Sequence, residues 1–390
     1  MKVMDMKKLG RFLSYVLVAA LATVATLIVN VDETPKPIQK LAQLEQILSE
    51  KFIGEADTTQ MADAAADAMV ASLGDRWSYY IPADEYSDYL ERMSNSYVGI
   101  GITISPLEDG TGIEVIQVAA GGPAEEAGVQ VGDVLIKVEG EDITGLTTDV
   151  VKDMVVGDEG TFVSLTFRRD SREITLDIER RTVKTPVATA EMLDHQVGLI
   201  SIVNFDERCS VETIGAMEEL LKQGARAFIF DVRYNPGGYA HELVKVLDYI
   251  LPEGDLFRTV DYTGKENVDK SDAKCLTDIP MAVLVNGESY SAAEFFAAAL
   301  REYGYAIVVG EQTVGKGYFQ RSYRLEDGSA VGLSVGKYFT PNGVSLSEEG
   351  GLTPDVEIAV TEDEAFGIYA DTLEPGQDPQ IQAAMTALGY

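Results

Sequence analysis

The chain has 390 residues, 46% of them apolar, which is enough for two or three domains with sizeable cores. Its 31 basic and 64 acidic residues give a formal net charge of −33. Nucleic acid is therefore excluded as a partner, because phosphate binding needs a basic face. With only two cysteines and two histidines, the chain has neither a disulfide framework nor the ligands of a four-ligand zinc site. Whether Cys209 and Cys275 pair stays open.

An uncharged apolar run occupies residues 12–29 (FLSYVLVAALATVATLIV) and follows four basic residues at positions 2, 7, 8 and 11. Such a run is close to the roughly 20 residues that span a bilayer, and the preceding charges favour a cytoplasmic N-terminus. We expect residues 1–36 to be a cytoplasmic stub and an uncleaved, single-pass signal anchor. Cleavage near Ala20-Leu21-Ala22 and secretion is the alternative. Either way, most of the chain lies outside the cytoplasm.

Residues 37–94 show three short helical patterns. The first runs from Pro37 to Phe52 and the second from Thr58 to Leu73, each with apolar residues at helical spacing. Pro82 is predicted to open a third helix that continues to about Met93. This N-terminal helical segment carries no visible chemistry.

Residues 95–183 change to short, often alternating apolar runs that are separated by glycine-rich turns. The expected strands are residues 98–104, 113–118, 134–138, 162–168 and 173–178. Residues 147–156 form the only longer helical pattern, so the segment is predicted to be a small β-rich domain.

Residues 184–360 alternate strand and helix, which predicts βαβ units around a largely parallel sheet. The expected strands are residues 199–203, 227–232, 281–285 and 306–309, and the expected helices are residues 210–222, 241–250 and 291–301. The remaining residues, 361–390, form a C-terminal segment in which a short closing helix is expected from Asp378.

Three glycine-bearing loops follow three of these strands: residues 233–238, 286–292 and 310–317. Functional groups gather beyond the carboxyl ends of parallel strands, so the loops are expected to converge although they are far apart in the chain. In the second loop Ser291 stands at a helix start, where outward-facing amides favour developing negative charge. Ordinary helix capping by Ser291 is the alternative.

The third loop, residues 310–316, fits most of a phosphate-binding pattern, G-x-x-x-x-G-K. However, Gly317 stands where that pattern needs a Ser or Thr ligand for magnesium. The residues that follow predict a strand, and not the helix whose N-terminus holds phosphate. Nucleotide binding is therefore disfavoured. A lysine among glycines and apolar residues instead suits a depressed pKa.

Several segments resemble, in order, the motifs of carboxyl-terminal processing proteases. Residues 283–294 (VLVNGESYSAAE) resemble the nucleophile segment, residues 310–320 (GEQTVGKGYFQ) the lysine segment and residues 231–238 (DVRYNPGG) the oxyanion loop. The resemblance continues through residues 325–330 (LEDGSA), 338–343 (YFTPNG) and 351–355 (GLTPD). It covers roughly residues 37 to 360.

The resemblance implies a role for each matching residue. Ser291 is the nucleophile and Lys316 the general base, with Gln320 orienting the lysine. The backbone amides of Gly237 and Ala292 form the oxyanion hole. A neutral lysine is required, and lowering its pKa from about 10.4 toward roughly 7–8 costs on the order of 4 kcal/mol.

Two residues complicate this assignment. Tyr290 departs from the family, which usually has a small residue there, and its bulk is expected to reshape the approach to Ser291. His241 lies just past the Pro-Gly-Gly loop and keeps a Ser–His–Asp triad open as an alternative. Its position on a predicted helix suits packing or the surface equally well.

The β-rich segment resembles a PDZ domain. Gly99-Ile100-Gly101-Ile102 matches the loop that binds a peptide's terminal carboxylate through free amides, while the peptide adds to the sheet edge. Residues 122–128 (GPAEEAG) and 131–138 (VGDVLIKV) match further PDZ spacings. A bare Gly-x-Gly is weak evidence, and these companions make it specific.

Together the resemblances imply an α/β protein. Its protease core is similar to the crotonase and Clp-protease αβ superhelix, with a PDZ-like domain inserted and helices before it. The implied function is a serine endopeptidase that binds protein C-terminal tails and cleaves through an acyl-enzyme, without metal or other cofactor. Expected partners are proteins or peptides with a free apolar C-terminus, the membrane and, if it self-associates, a second copy of this chain. The alternative is a non-catalytic PDZ adaptor on an inactive protease scaffold.

Overall fold

The computed structural model describes residues 35–107, 109–272 and 279–390. The predicted signal anchor at residues 12–29 lies outside the described residues, as does Cys275. Cys209, whose pairing with Cys275 the sequence left open, is buried. Among the helices of the described ranges, none is long and apolar enough to cross a membrane. The chain divides into two compact units at the boundary between Tyr80 and Ile81.

From residue 35 onward, where the structure describes it, the first unit contains two helices, α1 (Lys36–Lys51) and α2 (Thr58–Ala71). Asp57 caps α2 by accepting hydrogen bonds from two backbone N–H groups of its first turn. Both helices agree with the sequence prediction to within two residues at each end. A short strand, β1 (Tyr79–Ile81), spans the boundary between the units.

The prediction that Pro82 opens the third helix is wrong. Helix α3 (Tyr86–Met93) begins four residues later, and residues 83–85 form a turn. The N–H of Glu85 donates to the carbonyl of Pro82 at 3.2 Å and closes that turn. The fixed φ of proline suits the start of a turn as well as the first turn of a helix, so the pattern does not separate them.

After helix α3, the second unit continues with the β-rich domain that the sequence predicted. Five strands form an antiparallel sheet in the order β3-β4-β5-β7-β8, with β6 beside β5, while β2 pairs with β9. Val163, Leu165 and Phe167 alternate along β7 and are fully buried in its core. The elements are β2 (Ser96–Gly99), β3 (Ile102–Pro106), β4 (Ile113–Val118), α4 (Pro123–Ala127), β5 (Val134–Val138), β6 (Glu141–Asp142), α5 (Thr148–Val155), β7 (Phe162–Arg169), β8 (Arg172–Glu179) and β9 (Arg181–Lys184).

The rest of the unit alternates strands and helices, as predicted. In chain order the elements are β10 (Ala188–Leu193), β11 (Val197–Ile202), α6 (Cys209–Lys222), β12 (Ala227–Asp231), α7 (Ala240–Ile250), β13 (Gly254–Asp261), β14 (Glu266–Ser271), β15 (Met281–Val285), α8 (Ala292–Glu302), β16 (Ala306–Gly310), β17 (Tyr318–Arg324), β18 (Ala330–Phe339), α9 (Leu346–Glu349), β19 (Val356–Glu357), α10 (Glu362–Tyr369) and α11 (Pro379–Ala387).

The main sheet of this core has the order β10-β11-β12-β15-β16-β19. Its strands from β11 to β19 are parallel and β10 is antiparallel to β11. The loops after β12, β15 and β16 therefore leave the same edge of the sheet. Phe228, Phe230 and Phe296 pack together in the apolar cluster between this sheet and its helices. The predicted convergence of the three glycine-bearing loops follows from this topology.

Two further features position the loops. The strand that the sequence predicted after the lysine loop is present as β17, which begins two residues after Lys316. It pairs with β18, which in turn pairs with β13, so the lysine loop enters an antiparallel sheet. At the C-terminus Asp378 caps α11, and Ile381 and Ala384 of this helix pack against the main sheet. The closing helix expected from Asp378 is thus present.

Candidate active site

Ser291 stands between strand β15 and helix α8 in a strained backbone conformation. Its φ of 59° and ψ of −125° place a non-glycine residue in a region that L-residues rarely adopt. The residue is 7% exposed, and α8 behind it is buried from Ala292 to Leu300. Strain of this kind persists only where the surrounding packing fixes it, and it is common at catalytic residues.

A buried carboxylate, Glu294, joins the serine loop to the lysine loop. Its Oε2 accepts hydrogen bonds from the backbone N–H groups of Ser291 and Lys316, each at 2.9 Å. Its Oε1 accepts from the N–H of Gly315 at 2.7 Å and from the hydroxyl of Thr313. Burial raises the pKa of the Glu294 carboxyl, and these four donors oppose that rise. The two residues predicted as nucleophile and base therefore share one oxygen atom through their amides.

The sequence prediction missed this role of Glu294. The signal was present, since Ser291 and Glu294 have the spacing of a capping box, S-x-x-E, at the start of a helix. A capping box explains the bond to Ser291 and predicts nothing about a second loop. Only the folded structure places the loop with Thr313 beside the same carboxylate.

The side chain of Lys316 lies against an aromatic ring. Its Nζ is 5.4 Å from the centroid of the Tyr290 ring. Burial, and then the charge of Glu288, raises the pKa of the Tyr290 phenol, so this ring remains neutral at physiological pH. Tyr290, which departs from the family pattern, thus contacts the lysine that the resemblance assigns as the base.

Gln320 lies on β17, four residues after Lys316. Its Nε2 donates to the carbonyl of Tyr318 and to the hydroxyl of Ser334, both at 3.1 Å. Because both donor positions of this amide are used, the side chain is held in one orientation and its Oε1 is left to accept hydrogen bonds. An acceptor of that kind suits the orientation of an amine.

The Pro-Gly-Gly loop lies directly against Ser291. Gly237 has a φ of +88°, and a Cβ added there would come within 2.7 Å of the Ser291 Cβ and 2.9 Å of the Ala292 backbone nitrogen. Only glycine fits at this position. In the structure the Gly237 N–H donates to Oδ1 of the buried Asn235 at 2.8 Å. Gly237 and Ala292, the predicted oxyanion residues, are therefore adjacent. The amide of Gly237 already donates to an acceptor within the protein.

The C-terminal segment braces this loop, which the sequence did not predict. The Arg233 guanidinium is 4% exposed and forms ion pairs with Asp231 and, at 2.8 Å, with Asp378 before α11. The hydroxyl of Tyr234 donates to the carbonyl of Ala365 in α10 at 3.0 Å. Breaking an ion pair this deeply buried would leave an uncompensated charge in the interior. The ion pairs of Arg233 therefore fix the start of the loop.

His241, the alternative catalytic base, points toward solvent. Its side chain is 59% exposed, lies 3.5 Å from the Glu242 carboxylate and packs against the Tyr239 ring. Ser291, by contrast, is buried. The surroundings of His241 are those of a surface residue on helix α7. Within the described ranges, the structure contains no group of three or more histidine, cysteine or acidic side chains that could hold a metal ion.

A groove of about 740 Å³ opens in the β-rich domain between strand β3 and helix α5. All four residues predicted to bind a peptide, Gly99 to Ile102, line it. Gly101 has a φ of +79°, which favours glycine, and its amide belongs to the turn that leads into β3. The wall is mostly apolar, and its charged side chains are those of Asp88, Glu91, Asp149 and Lys152.

Two segments of the chain match known protein families, and the chain is similar to known proteases. Residues 196–358 match the model of peptidase family S41, and residues 114–169 match that of the PDZ domain. The carboxy-terminal processing protease CtpA of Bacillus subtilis (strain 168) is 33% identical over 355 residues, covering 89% of this chain and 75% of that protein. A probable CtpA-like serine protease of Staphylococcus epidermidis (strain ATCC 12228 / FDA PCI 1200) is 31% identical over 362 residues, covering 90% and 73%.

The fold is also similar to a solved structure. A putative S41 protease from Bacteroides fragilis NCTC 9343 superposes with a TM-score of 0.52, covering 89% of this chain and 96% of that chain. At 17% identity this likeness shows the fold alone. It agrees with the predicted mixed α/β core that carries a PDZ-like domain and N-terminal helices.

Proposed function

The chain belongs to the carboxy-terminal processing serine proteases of peptidase family S41, and on that premise we propose that it cleaves peptide bonds by a Ser291–Lys316 dyad. The observation that carries the proposal is the shared hydrogen bonding of the Ser291 and Lys316 amides to Oε2 of Glu294. This carboxylate fixes the nucleophile loop and the base loop relative to each other. Such fixed geometry is what proximity catalysis requires.

In the proposed reaction the neutral amine of Lys316 accepts the Oγ proton of Ser291 as Oγ bonds to the scissile carbonyl carbon. The resulting ammonium gives that proton to the leaving nitrogen as the C–N bond breaks, which leaves an ester on Ser291. Water then attacks the ester carbonyl, Lys316 accepts a proton from the water, and the proton returns to Oγ as the acid product departs. Gln320 orients the amine through its Oε1.

The amides of Gly237 and Ala292 are proposed to stabilise the oxyanion that forms in both steps. Ala292 opens helix α8, whose N-terminus favours negative charge. The Gly237 amide exchanges its acceptor, Oδ1 of Asn235, for the substrate oxygen. Each oxyanion donor contributes about 3 kcal/mol to transition-state stabilisation.

We further propose that the groove of the PDZ-like domain holds the C-terminal tail of a protein substrate. Its apolar walls suit a terminal apolar side chain, and the amides of Gly99 to Ile102 suit a free carboxylate. Binding there tethers a substrate to the enzyme while a bond elsewhere in the same substrate is cut. The N-terminal apolar run is proposed to place this activity outside the cytoplasm at the membrane surface.

The competing function is a PDZ adaptor on a scaffold that no longer cleaves. Purified wild-type protein is expected to hydrolyse casein, and Ser291→Ala is expected to abolish that hydrolysis while its unfolding temperature stays within a few degrees of wild type. A wild-type protein that binds C-terminal peptides and leaves casein intact would establish the adaptor function. Equal hydrolysis by the wild type and Ser291→Ala would exclude Ser291 as the nucleophile.

A further inference from the structure

Tyr290 links both halves of the catalytic site through its backbone and its ring. Its N–H donates to the carbonyl of Asn235 in the oxyanion loop at 3.1 Å. Its carbonyl lies next to Gly237, where an added Cβ would come within 2.9 Å of it. The ring extends toward the other loop, and Nζ of Lys316 stands 5.4 Å from its centroid. Tyr290 is therefore fixed at one end while its ring faces the lysine.

The separation between Nζ and the ring lies within the range of about 6 Å over which a cation is attracted to an aromatic face. The ring is half-buried, so water screens the attraction less than it does at a fully exposed site. Because the phenol stays neutral, the ring offers its π face and no negative charge. The contact is specific for the ammonium form of the lysine, since a neutral amine gains no comparable attraction.

We propose that Tyr290 is a positioning residue, whose ring face binds the ammonium form of Lys316 and holds this side chain in place. This inference rests on the proposed role of Lys316. In the family pattern a small residue occupies this position, and it offers no such face. The larger side chain therefore adds a holding contact to the dyad of this chain.

The contact has a consequence for the pH range in which the enzyme works. A group that stabilises the ammonium raises the pKa of the lysine, so the neutral base appears only at higher pH. The interaction corresponds to a shift of about half a pH unit. Two carboxylates act on this pair: Glu294 accepts the backbone N–H of Lys316, and the charge of Glu288 acts on the Tyr290 phenol. Neither is altered when Tyr290 is replaced.

A pair of substitutions separates the ring face from the bulk of the side chain. Tyr290→Phe keeps the aromatic face, and Tyr290→Leu keeps an apolar side chain that shields the amine but lacks that face. Both are made in the Ser291→Ala protein, so no acyl group can form on the serine. The rate at which a trace amine-acylating reagent labels Lys316, followed by peptide mass spectrometry across pH, reports the neutral fraction of this lysine without using activity.

In Tyr290→Leu, half-maximal labelling of Lys316 is expected at a pH about half a unit lower than in the Ser291→Ala protein with Tyr290 intact. In Tyr290→Phe, it is expected at the same pH as in that protein. In active enzyme the acidic limb of kcat/KM is expected to move in the same way. Half-maximal labelling of Lys316 at the same pH in the Phe and Leu variants would overturn the proposal. If the Leu variant shows the labelling shift but Lys316→Ala still hydrolyses peptides, the Tyr290 contact is supported and the dyad is excluded. Failure of the Tyr290 contact can therefore be distinguished from failure of the dyad.

Discussion

At the scale of single residues, the site depends on a carboxylate that takes no part in the proposed chemistry. Glu294 is fully buried, and four donors converge on it: three backbone N–H groups and the hydroxyl of Thr313. An anion in such a place is stable only if its donors are all held in position. The same donors include the amides of Ser291 and Lys316, so the stability of the fold and the geometry of the dyad depend on one group.

Replacing this carboxylate by an amide tests that dependence. Glu294→Gln puts an NH₂ group where one carboxylate oxygen stood, so at least one buried N–H loses its acceptor. We expect a loss of about 3 kcal/mol in the free energy of unfolding and at least about a tenfold fall in kcat. Denaturant unfolding and peptide hydrolysis measure the two effects.

Helix α10 supplies a matched control, because Thr361 and Glu364 form the same capping box near the surface. Glu364→Gln leaves its amide within reach of water and is expected to change the stability by about 1 kcal/mol or less, with no effect on kcat. Equal, small effects of the two substitutions would show that Glu294 is an ordinary cap.

At the scale of elements, the groove between β3 and α5 is the proposed binding site for a substrate tail. It is formed by a glycine turn, a free strand edge and one helix. The spacing predicted the helix and the resemblance supplied the turn, but residues 98–104, which were expected as one strand, are divided by that turn between β2 and β3. A peptide that pairs with β3 places its last residue against the Gly99–Ile102 turn. The free terminal carboxylate is therefore the group that the groove is expected to recognise.

Peptides that differ only at the terminus test this recognition in the Ser291→Ala protein. We expect a peptide with a free apolar C-terminus to bind at least about tenfold more tightly than its amide, because amidation removes the charge that the turn amides accept. Gly101→Val is expected to weaken binding of the free acid, since its side chain comes within about 3.2 Å of Ala119 and its φ of +79° is strained.

Gly140 provides the control for that substitution. It also has a φ of +79°, in the turn between β5 and β6, but an added Cβ there meets open space. Gly140→Val therefore carries the same backbone strain and is expected to leave peptide affinity unchanged. Equal affinities for acid and amide peptides, with no effect of Gly101→Val, would make the domain a spacer rather than a tail receptor.

Elements also differ in how far the sequence predicted them. The parallel strands and the helices after them followed from alternation and apolar runs, because these patterns reflect local burial. The start of α3 was misplaced, since proline opens turns and helices alike. The brace of the oxyanion loop also includes a hydrogen bond from Nη1 of Arg233 to Oε1 of Gln380. These residues are 147 positions apart, and no local pattern encodes such a pairing. The same limit applies to Glu294. Its capping box with Ser291 could be predicted from the sequence, but its hydrogen bonds to the lysine loop could not.

At the scale of the whole molecule, each part has a separate role. The parallel sheet brings three loops to one edge, the antiparallel sheet receives the lysine loop, and the C-terminal helices brace the oxyanion loop. The PDZ-like domain adds a binding groove, and a net charge of −33 makes the surface repel acidic ligands. The central claim is that the base which serves Ser291 in this assembly is Lys316.

The most direct test compares hydrolysis of casein by Lys316→Ala and His241→Ala, each checked for an unchanged unfolding transition. Lys316 is held in the site by Glu294 and Tyr290, whereas the side chain of His241 is 59% exposed on α7. The dyad predicts that Lys316→Ala lowers the rate to that of Ser291→Ala while His241→Ala keeps nearly the wild-type rate. Substantial hydrolysis by Lys316→Ala, together with its loss in His241→Ala, would contradict the dyad and establish a triad.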